Sequence, residues 1–235
     1  MNQKNKIDLL RGVYIFSEVS EKHLEEILSH CKEKNVNKHE VIVSENEKGD
    51  SMYLILDGEV KVSLVAEDGK EIILSTLRKG DFFGEMSLLD GEPRSANVIA
   101  LTSSDLLELS RNDFLSEILS NKHIAGAVLK VLSRRLREAN ERILGLMSKD
   151  VFDRLAEYFQ KEARIKGREL IDGSVVFERL PQSDIASIVG SSRETVTRAI
   201  KEMVDRGMII TSGKQIILKK NFQQLLIERH KERYG

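Results

Sequence analysis

The chain is poor in the residues on which several kinds of function depend. It holds one cysteine, Cys31, in 235 residues. A single thiol excludes an internal disulfide, and it excludes an iron–sulfur cluster held by the cysteines of one chain. The five histidines, His23, His30, His39, His123 and His230, show no close metal-ligand spacing, so no metal is expected. Long hydrophobic runs are missing as well. The longest candidate, IAGAVLKVL, is cut by Lys130, so no membrane span is expected. The first residues, MNQKNKIDLLRG, lack the apolar core of a signal peptide. A cytoplasmic location is the expectation. No nucleophile–base pair is evident, so an enzyme is not expected. Neither sign of charge dominates: the net charge is −1. The charge is uneven, however, with +3 from Asp150 onward and −4 before it. That asymmetry agrees with a C-terminal part that faces nucleic acid.

What is present falls into three textures. Ser20–Asn35 predicts a helix, with Ser20 as N-cap, periodic His23, Leu24, Ile27 and Leu28, and Cys31 on its face. From Val36 to Leu109 short β-rich runs alternate with turns at Gly49-Asp50, Asp57-Gly58, Asp68-Gly69 and Gly80-Asp81. Regular spacing of this kind predicts a barrel or jelly roll. Helix returns near Arg111. A long proline-free stretch, Asn121 to Met147, carries Leu129, Leu132, Leu136, Ala139, Ile143 and Leu146 at steps of 3, 4, 3, 4 and 3. That is a heptad seam, and a charged outward face of Arg134, Arg135, Glu138, Glu141 and Arg142 is expected beside it. Such a helix prefers a partner helix. Ser148-Lys149-Asp150 reads as a hinge, and Val151–Lys166 as a further helix with Phe152, Leu155 and Phe159 inward.

Between Gly80 and Ala96 the chain reads GDFFGEMSLLDGEPRSA. Gly84 lets backbone come close to a ligand. Arg94 offers a planar fork of donors for a phosphate, and Ser95 adds a hydroxyl. Glu85 accepts from a sugar hydroxyl, with Met86 beside it. A sugar and a phosphate at that separation indicate a nucleotide.

A second motif lies at Pro181–Val204, PQSDIASIVGSSRETVTRAIKEMV. Ile185, Ile188 and Val189 face inward on a first short helix. Gly190 allows a sharp turn, and Ser191 or Ser192 caps a second helix. Val196, Ala199, Ile200 and Met203 are its inward face. Arg193, Glu194, Thr197, Arg198 and Lys201 are left facing out. A helix-turn-helix of this form places its second helix in the major groove of DNA. Arginine can donate twice to guanine and glutamate can accept from cytosine, while Ser192 and Thr195 suit phosphate oxygens. Arg206–Leu218 predicts a hairpin with a Ser212-Gly213 turn, and Lys214 at its tip is a further phosphate candidate. The segment from Asn221 reads as an added terminal helix with Phe222, Leu225 and Leu226 as its apolar face.

From about Phe16 to Leu218 these features resemble the catabolite activator / fumarate-nitrate regulator (CRP/FNR) superfamily of bacterial transcription factors. Gly84-Glu85, ten residues ahead of Arg94-Ser95, resembles the phosphate-binding cassette of cyclic-nucleotide-binding domains. Ser-Arg-Glu-Thr-Val-x-Arg at 192–198 is similar to the recognition helix of the catabolite activator branch. The resemblance implies an α+β fold: a cyclic-nucleotide-binding β-roll (1–119), a dimerisation helix (120–147) and a winged helix-turn-helix (148–235). It implies a homodimer with cyclic AMP as allosteric effector. Cyclic GMP or a cyclic dinucleotide is the less favoured ligand. It also implies a palindromic TGTGA-like DNA site read by Arg193, Glu194 and Arg198, and RNA polymerase as a partner.

The chain departs from the family at one point. The archetype's long helix presents Thr-Ser to the adenine; here the matching pair is Ala139-Asn140. Asn140 can bond an adenine edge, or it can set register at a coiled-coil margin. Two other readings stay open. One is a family member that works without nucleotide; the other is a nucleotide-sensing module that docks on protein.

Overall fold

The computed structural model describes residues 3–234, with side chains from 6 to 232 except 118 and 119. Its packing divides the chain into two units, Met1–Glu138 and Ala139–Gly235.

The first unit is a roll. Helix α1 (Gln3–Gly12), a 3-10 turn (Tyr14–Phe16) and α2 (Glu21–His30) precede the strands. Strands β1 (Lys32–Val36), β3 (Ser51–Asp57), β6 (Phe82–Phe83) and β8 (Ser104–Ser110) form one antiparallel sheet in the order β1-β8-β3-β6. Strands β2 (Val41–Val43), β4 (Glu59–Val65), β5 (Glu71–Arg78) and β7 (Asn97–Ala100) form the other, in the order β2-β7-β4-β5. Successive side chains on a strand point to opposite faces. On β3 this sends Tyr53 and Ile55 into one core with Phe83, Val98 and Leu106. Met52, Leu54 and Leu56 go into another, with Leu10, Phe16, Leu24, Phe114 and Val128 from the helices. A strand covered on both faces has to be apolar throughout, and β3 is buried at every residue but Asp57. Gly58, Gly69 and Gly80 take positive φ at three of the expected turns.

Helix α2 is capped as expected, the Ser20 hydroxyl accepting from the His23 amide at 3.4 Å. It stops five residues early, however. Cys31 is already extended, and Lys32–Val36 is a strand paired with β8 from Lys32↔Glu108 to Val36↔Ser104. The composition KEKNV suits an exposed helix as well as an edge strand. Only Val36 is buried in it, so the ladder with β8 decides. Burial, then the carboxylates of Asp113 and Glu117, push the Cys31 thiol up to about 12, which leaves it unreactive.

Helices α3 (Glu85–Asp90) and α4 (Arg111–Ser120) lead to α5 (Lys122–Ser148), the long helix. In the first unit α5 buries Ile124, Val128 and Val131. Along its seam Leu129 is 65% exposed and Leu136 64%, while Leu132 packs partly on the core. Ile143 and Leu146, in the second unit, are also exposed. No helix among the described residues is long and apolar enough to cross a membrane.

The second unit begins with the end of α5. Helix α6 (Val151–Lys166) is capped by Asp150, whose carboxylate accepts from the Asp153 amide at 2.8 Å. Strands β9 (Arg168–Glu169), β10 (Val175–Glu178), β11 (Ile209–Ser212) and β12 (Gln215–Leu218) form an antiparallel sheet ordered β11-β12-β10-β9. Between β10 and β11 lie α7 (Gln182–Val189) and α8 (Arg193–Asp205). Helix α9 (Phe222–Tyr234) follows β12 and adds Phe222 and Leu226 to the core. The hairpin turn is Gly213-Lys214, one residue later than expected, because Ser212 pairs with Gln215 and Gly213 supplies the positive φ.

In the roll, α2 is tied to α4 by charge. The His23 Nε2 lies 2.7 Å from Glu117, its Nδ1 3.1 Å from Glu26, and His30 lies 3.3 Å from Asp113. Burial lowers the His23 imidazole, but hydrogen bonds and charge from Glu26 and Glu117 outweigh it, and the group stands above its ordinary value. A raised folded-state value means stability that is complete below the unfolded value and lost as pH rises through the folded one. The urea midpoint of the roll is therefore expected to fall as pH rises above the ordinary imidazole value of 6.5, and His23→Gln to flatten that decline. A parent midpoint constant across that rise would show that the clamp contributes nothing.

Candidate functional sites

Strand β6 runs into the cassette. Gly84 sits at φ 84° and turns the chain into α3, and Gly91 ends that helix at φ 80°. Arg94 is 6% exposed. Its Nη1 donates to the Gly84 carbonyl and its Nη2 to the Ser51 carbonyl, both at 2.7 Å. A Cβ on Gly84 would stand 2.7 Å from Nη1, and one on Gly49 2.7 Å from Nε. The two glycines make the slot in which the guanidinium lies. Its main chain is held too, by bonds of 2.8 Å to the Glu47 carbonyl and 2.9 Å from the Asn46 amide. No carboxylate among the described residues pairs with it. A buried cation supported only by carbonyl dipoles fits an anion such as phosphate.

Glu85 lies on the other side of Gly84 and is 2% exposed. From the sequence, Glu85 is expected against a sugar hydroxyl and Arg135 on an outward charged face. Arg135 instead turns into the roll. Its Nη1 donates to Glu85 Oε1 at 2.6 Å, its Nη2 donates to the Phe82 carbonyl, and it stacks 4.9 Å from the centroid of the Phe82 ring. A signal was available: Ile124, Val128, Val131 and Arg135 follow one another at steps of 4, 3 and 4, so Arg135 continues the buried stripe. Ser95 and Met86 are exposed, the Ser95 hydroxyl 3.7 Å from the Met86 sulfur. Ala139 and Asn140 are exposed on α5 in the second unit.

The helix-turn-helix is built as its residues require. Gly190 takes φ 65°, and the Ser192 hydroxyl accepts from the Thr195 amide at 3.2 Å to cap α8. Val196, Ala199, Ile200 and Met203 are buried. Arg193, Glu194, Thr197, Arg198 and Lys201 are exposed together, and Lys214 is exposed at the hairpin tip. The Thr195 hydroxyl also accepts from Arg198 at 3.3 Å, and the Thr197 hydroxyl donates to the Arg193 carbonyl at 2.8 Å. Glu194 is held below the ordinary carboxylate range by its own main-chain amide and the Ser192 hydroxyl, so it is an acceptor at neutral pH.

Two arginines brace the turn. Arg154 donates to the Val189 carbonyl at 2.7 Å and to Gly190 at 3.3 Å, and Arg142 donates to Ile188 at 2.5 Å. These are the open carbonyls at the end of α7, where cations are favoured. Arg142 was also expected on the outward face. Burial there holds its guanidinium below the ordinary value. Among the described residues no group of three or more His, Cys, Asp or Glu could hold a metal.

A sensing roll and a winged helix-turn-helix on one chain make a DNA-binding regulator. Residues 33–121 match the cyclic nucleotide-binding domain, and 153–226 match the Crp-like helix-turn-helix domain. The CRP-like cAMP-activated global transcriptional regulator of Mycobacterium tuberculosis is 34% identical over 75% of this chain and 79% of its own length. A CRP/FNR-family transcriptional regulator from Thermus thermophilus is similar in structure, with TM-score 0.69 and 28% identity over 83% of this chain and 97% of its own. The c-di-GMP-responsive regulator CLP of Xanthomonas campestris shares the fold, with TM-score 0.75 and 21% identity over 85% of this chain and 99% of its own. This chain belongs to the CRP/FNR superfamily of transcription regulators.

Removing Arg135 leaves a carboxylate buried without its partner, which costs about 3–5 kcal/mol. Arg135→Met is expected to lower the urea stability of the roll by that order, and Glu85→Gln in the same chain to restore part of it. Strictly additive losses in the double-mutant cycle would show that the pair is not coupled.

Proposed function

We propose that the chain is a homodimeric, sequence-specific DNA-binding regulator under allosteric control by a cyclic nucleotide, with cyclic AMP preferred over cyclic GMP or a cyclic dinucleotide. The observation that carries the nucleotide reading is Arg94, a buried cation in a glycine slot with no carboxylate partner among the described residues. In this reading Arg94 and Ser95 hold the phosphate. Gly84 and Met86 line the approach, Glu85 accepts from the ribose, and Asn140 on a neighbouring chain's long helix meets the base. Cyclic AMP is favoured by the cAMP-activated relative and by the bonding capacity of an amide toward adenine.

The dimer reading rests on the exposed seam. Leu129, Leu136, Ile143 and Leu146 leave apolar surface in water on one side of α5, and Leu132 and Ala139 complete the stripe. A second copy of α5 would cover it. The domains then run 1–119 for sensing, 120–147 for dimerisation and 148–235 for DNA binding. Arg193, Glu194 and Arg198 read base edges of a palindromic TGTGA-like site. Ser192, Thr195, Thr197, Lys201 and Lys214 face phosphates and fix register. Paired recognition helices need half-sites about 34 Å apart. RNA polymerase is the expected partner on DNA, and the cytoplasm the expected location.

Arg135 gives the coupling a physical form. A sugar hydroxyl that bonds Glu85 shares the carboxylate with Arg135, so filling the cassette alters a bond to α5. A ligand shifts the protein between states only by its different affinity for them.

Calorimetry with cyclic AMP, cyclic GMP and cyclic di-GMP, paired with DNA titrations in each, tests the proposal. Cyclic AMP should bind most tightly and raise affinity for the palindrome. Arg94→Lys should weaken nucleotide binding by about a hundredfold or more, since the forked contact is lost. Unchanged nucleotide affinity in that variant would remove the pocket assignment. DNA affinity identical with and without every nucleotide would favour the nucleotide-free reading instead.

A further inference from the structure

Helix α9 reaches past residue 226, where the helix-turn-helix match ends. Beyond that point lies a buried charge that the DNA-reading elements alone do not require. Arg229 is 6% exposed, and all three of its donor groups are used. Nε donates to Glu202 at 3.2 Å, Nη1 to Asp153 at 3.1 Å and Nη2 to Asp150 at 2.9 Å. Its face stacks 3.8 Å from the centroid of the Phe152 ring. Glu202 stands near the end of α8, the recognition helix. Asp150 is the N-cap of α6, two residues after the long helix ends. One guanidinium therefore joins the junction to the helix that faces DNA.

Neighbouring bonds run the same way. Arg206, just past α8, donates to Glu232 of α9 at 2.9 Å and to Glu202 at 3.1 Å. His230 of α9 lies 2.8 Å from Asp153. The recognition helix otherwise rests on the apolar Val196, Ala199, Ile200 and Met203 and on a side-chain bond to α7, Thr197 to Gln182 at 3.2 Å. Apolar contact resists separation but is non-directional, so it permits sliding and rotation. A planar fork on three carboxylates is directional.

We propose that α9 is a brace that fixes the angle of the recognition helix against the first turn of α6, with Arg229 as its positioning residue, and that DNA affinity depends on it. The proposal rests on the reading of α8 as the DNA-contacting helix, and its test separates the two.

Glu202→Gln takes the charge out of the brace at α8, leaving only a neutral amide acceptor, and keeps Arg229 on Asp150 and Asp153. Removing a negative charge near DNA should by itself tighten binding. The brace predicts the opposite sign: a loss of about five- to twentyfold for the palindrome at saturating cyclic AMP, with melting temperature and nucleotide affinity nearly unchanged. Arg229→Lys keeps the charge without the fork and should lose affinity in the same direction. Equal or tighter DNA binding in Glu202→Gln, alongside a loss in Arg198→Ala, overturns the brace and leaves the recognition helix in place. Full binding in both variants overturns the reading of α8. A loss in Glu202→Gln that merely follows the unfolded fraction also overturns the brace.

Discussion

A carboxylate as buried as Glu85 is stable only when another group meets its charge, and the group that does so, Arg135, belongs to the long helix. Much else is arranged around this pair. Arg135 sits on α5 at the end of the stripe that packs on the roll, so the same contacts that bury the helix bring its charge to the cassette. On the other side of Gly84, Arg94 is buried with carbonyls for company and, among the described residues, without a carboxylate. The cassette thus holds one charge already matched and one able to take an anion. Both are fixed to Gly84, whose φ no residue with a side chain adopts easily.

The second unit uses charge in another way. Its core of Phe152, Phe159, Ile185, Val196, Met203 and Phe222 supplies stability. Orientation comes from arginines placed on helix ends. Arg142 and Arg154 hold the last carbonyls of α7, and Arg229 holds the start of α6 against the end of α8. Hydrophobic burial is roughly indifferent to angle, whereas each of these bonds has a geometry. In the proposed reading, where α8 presents Arg193, Glu194 and Arg198 to base edges, the helix gains from being held in that manner.

Much of this was legible in the residues alone. The roll followed from turn spacing, and the cassette from Gly84, Glu85, Arg94 and Ser95. The recognition helix followed from the Ser192 cap and the inward Val196, Ala199, Ile200 and Met203. The differences between sequence and structure have a common origin. Lys32–Asn35 reads as the end of α2 because its charged residues suit either state, and the partner strand that decides lies some seventy residues on. Arg135 and Arg142 read as solvent-facing because they stand among other charged residues on the helix. The hairpin turn moved by one residue because register belongs to the pair of strands and not to either alone.

The sequence by itself determined the kinds of element and the chemistry each motif carries. Caps, glycine turns and apolar periods act within a few residues, where the chain order is also the spatial order. Only the tertiary structure decided which charges are matched and by what. Glu85 meets Arg135 across fifty residues, and Asp150 meets Arg229 across seventy-nine. An arginine on a helix looks the same in sequence whether it ends in water or on a buried carboxylate. What separates the two cases is burial, which the folded core imposes.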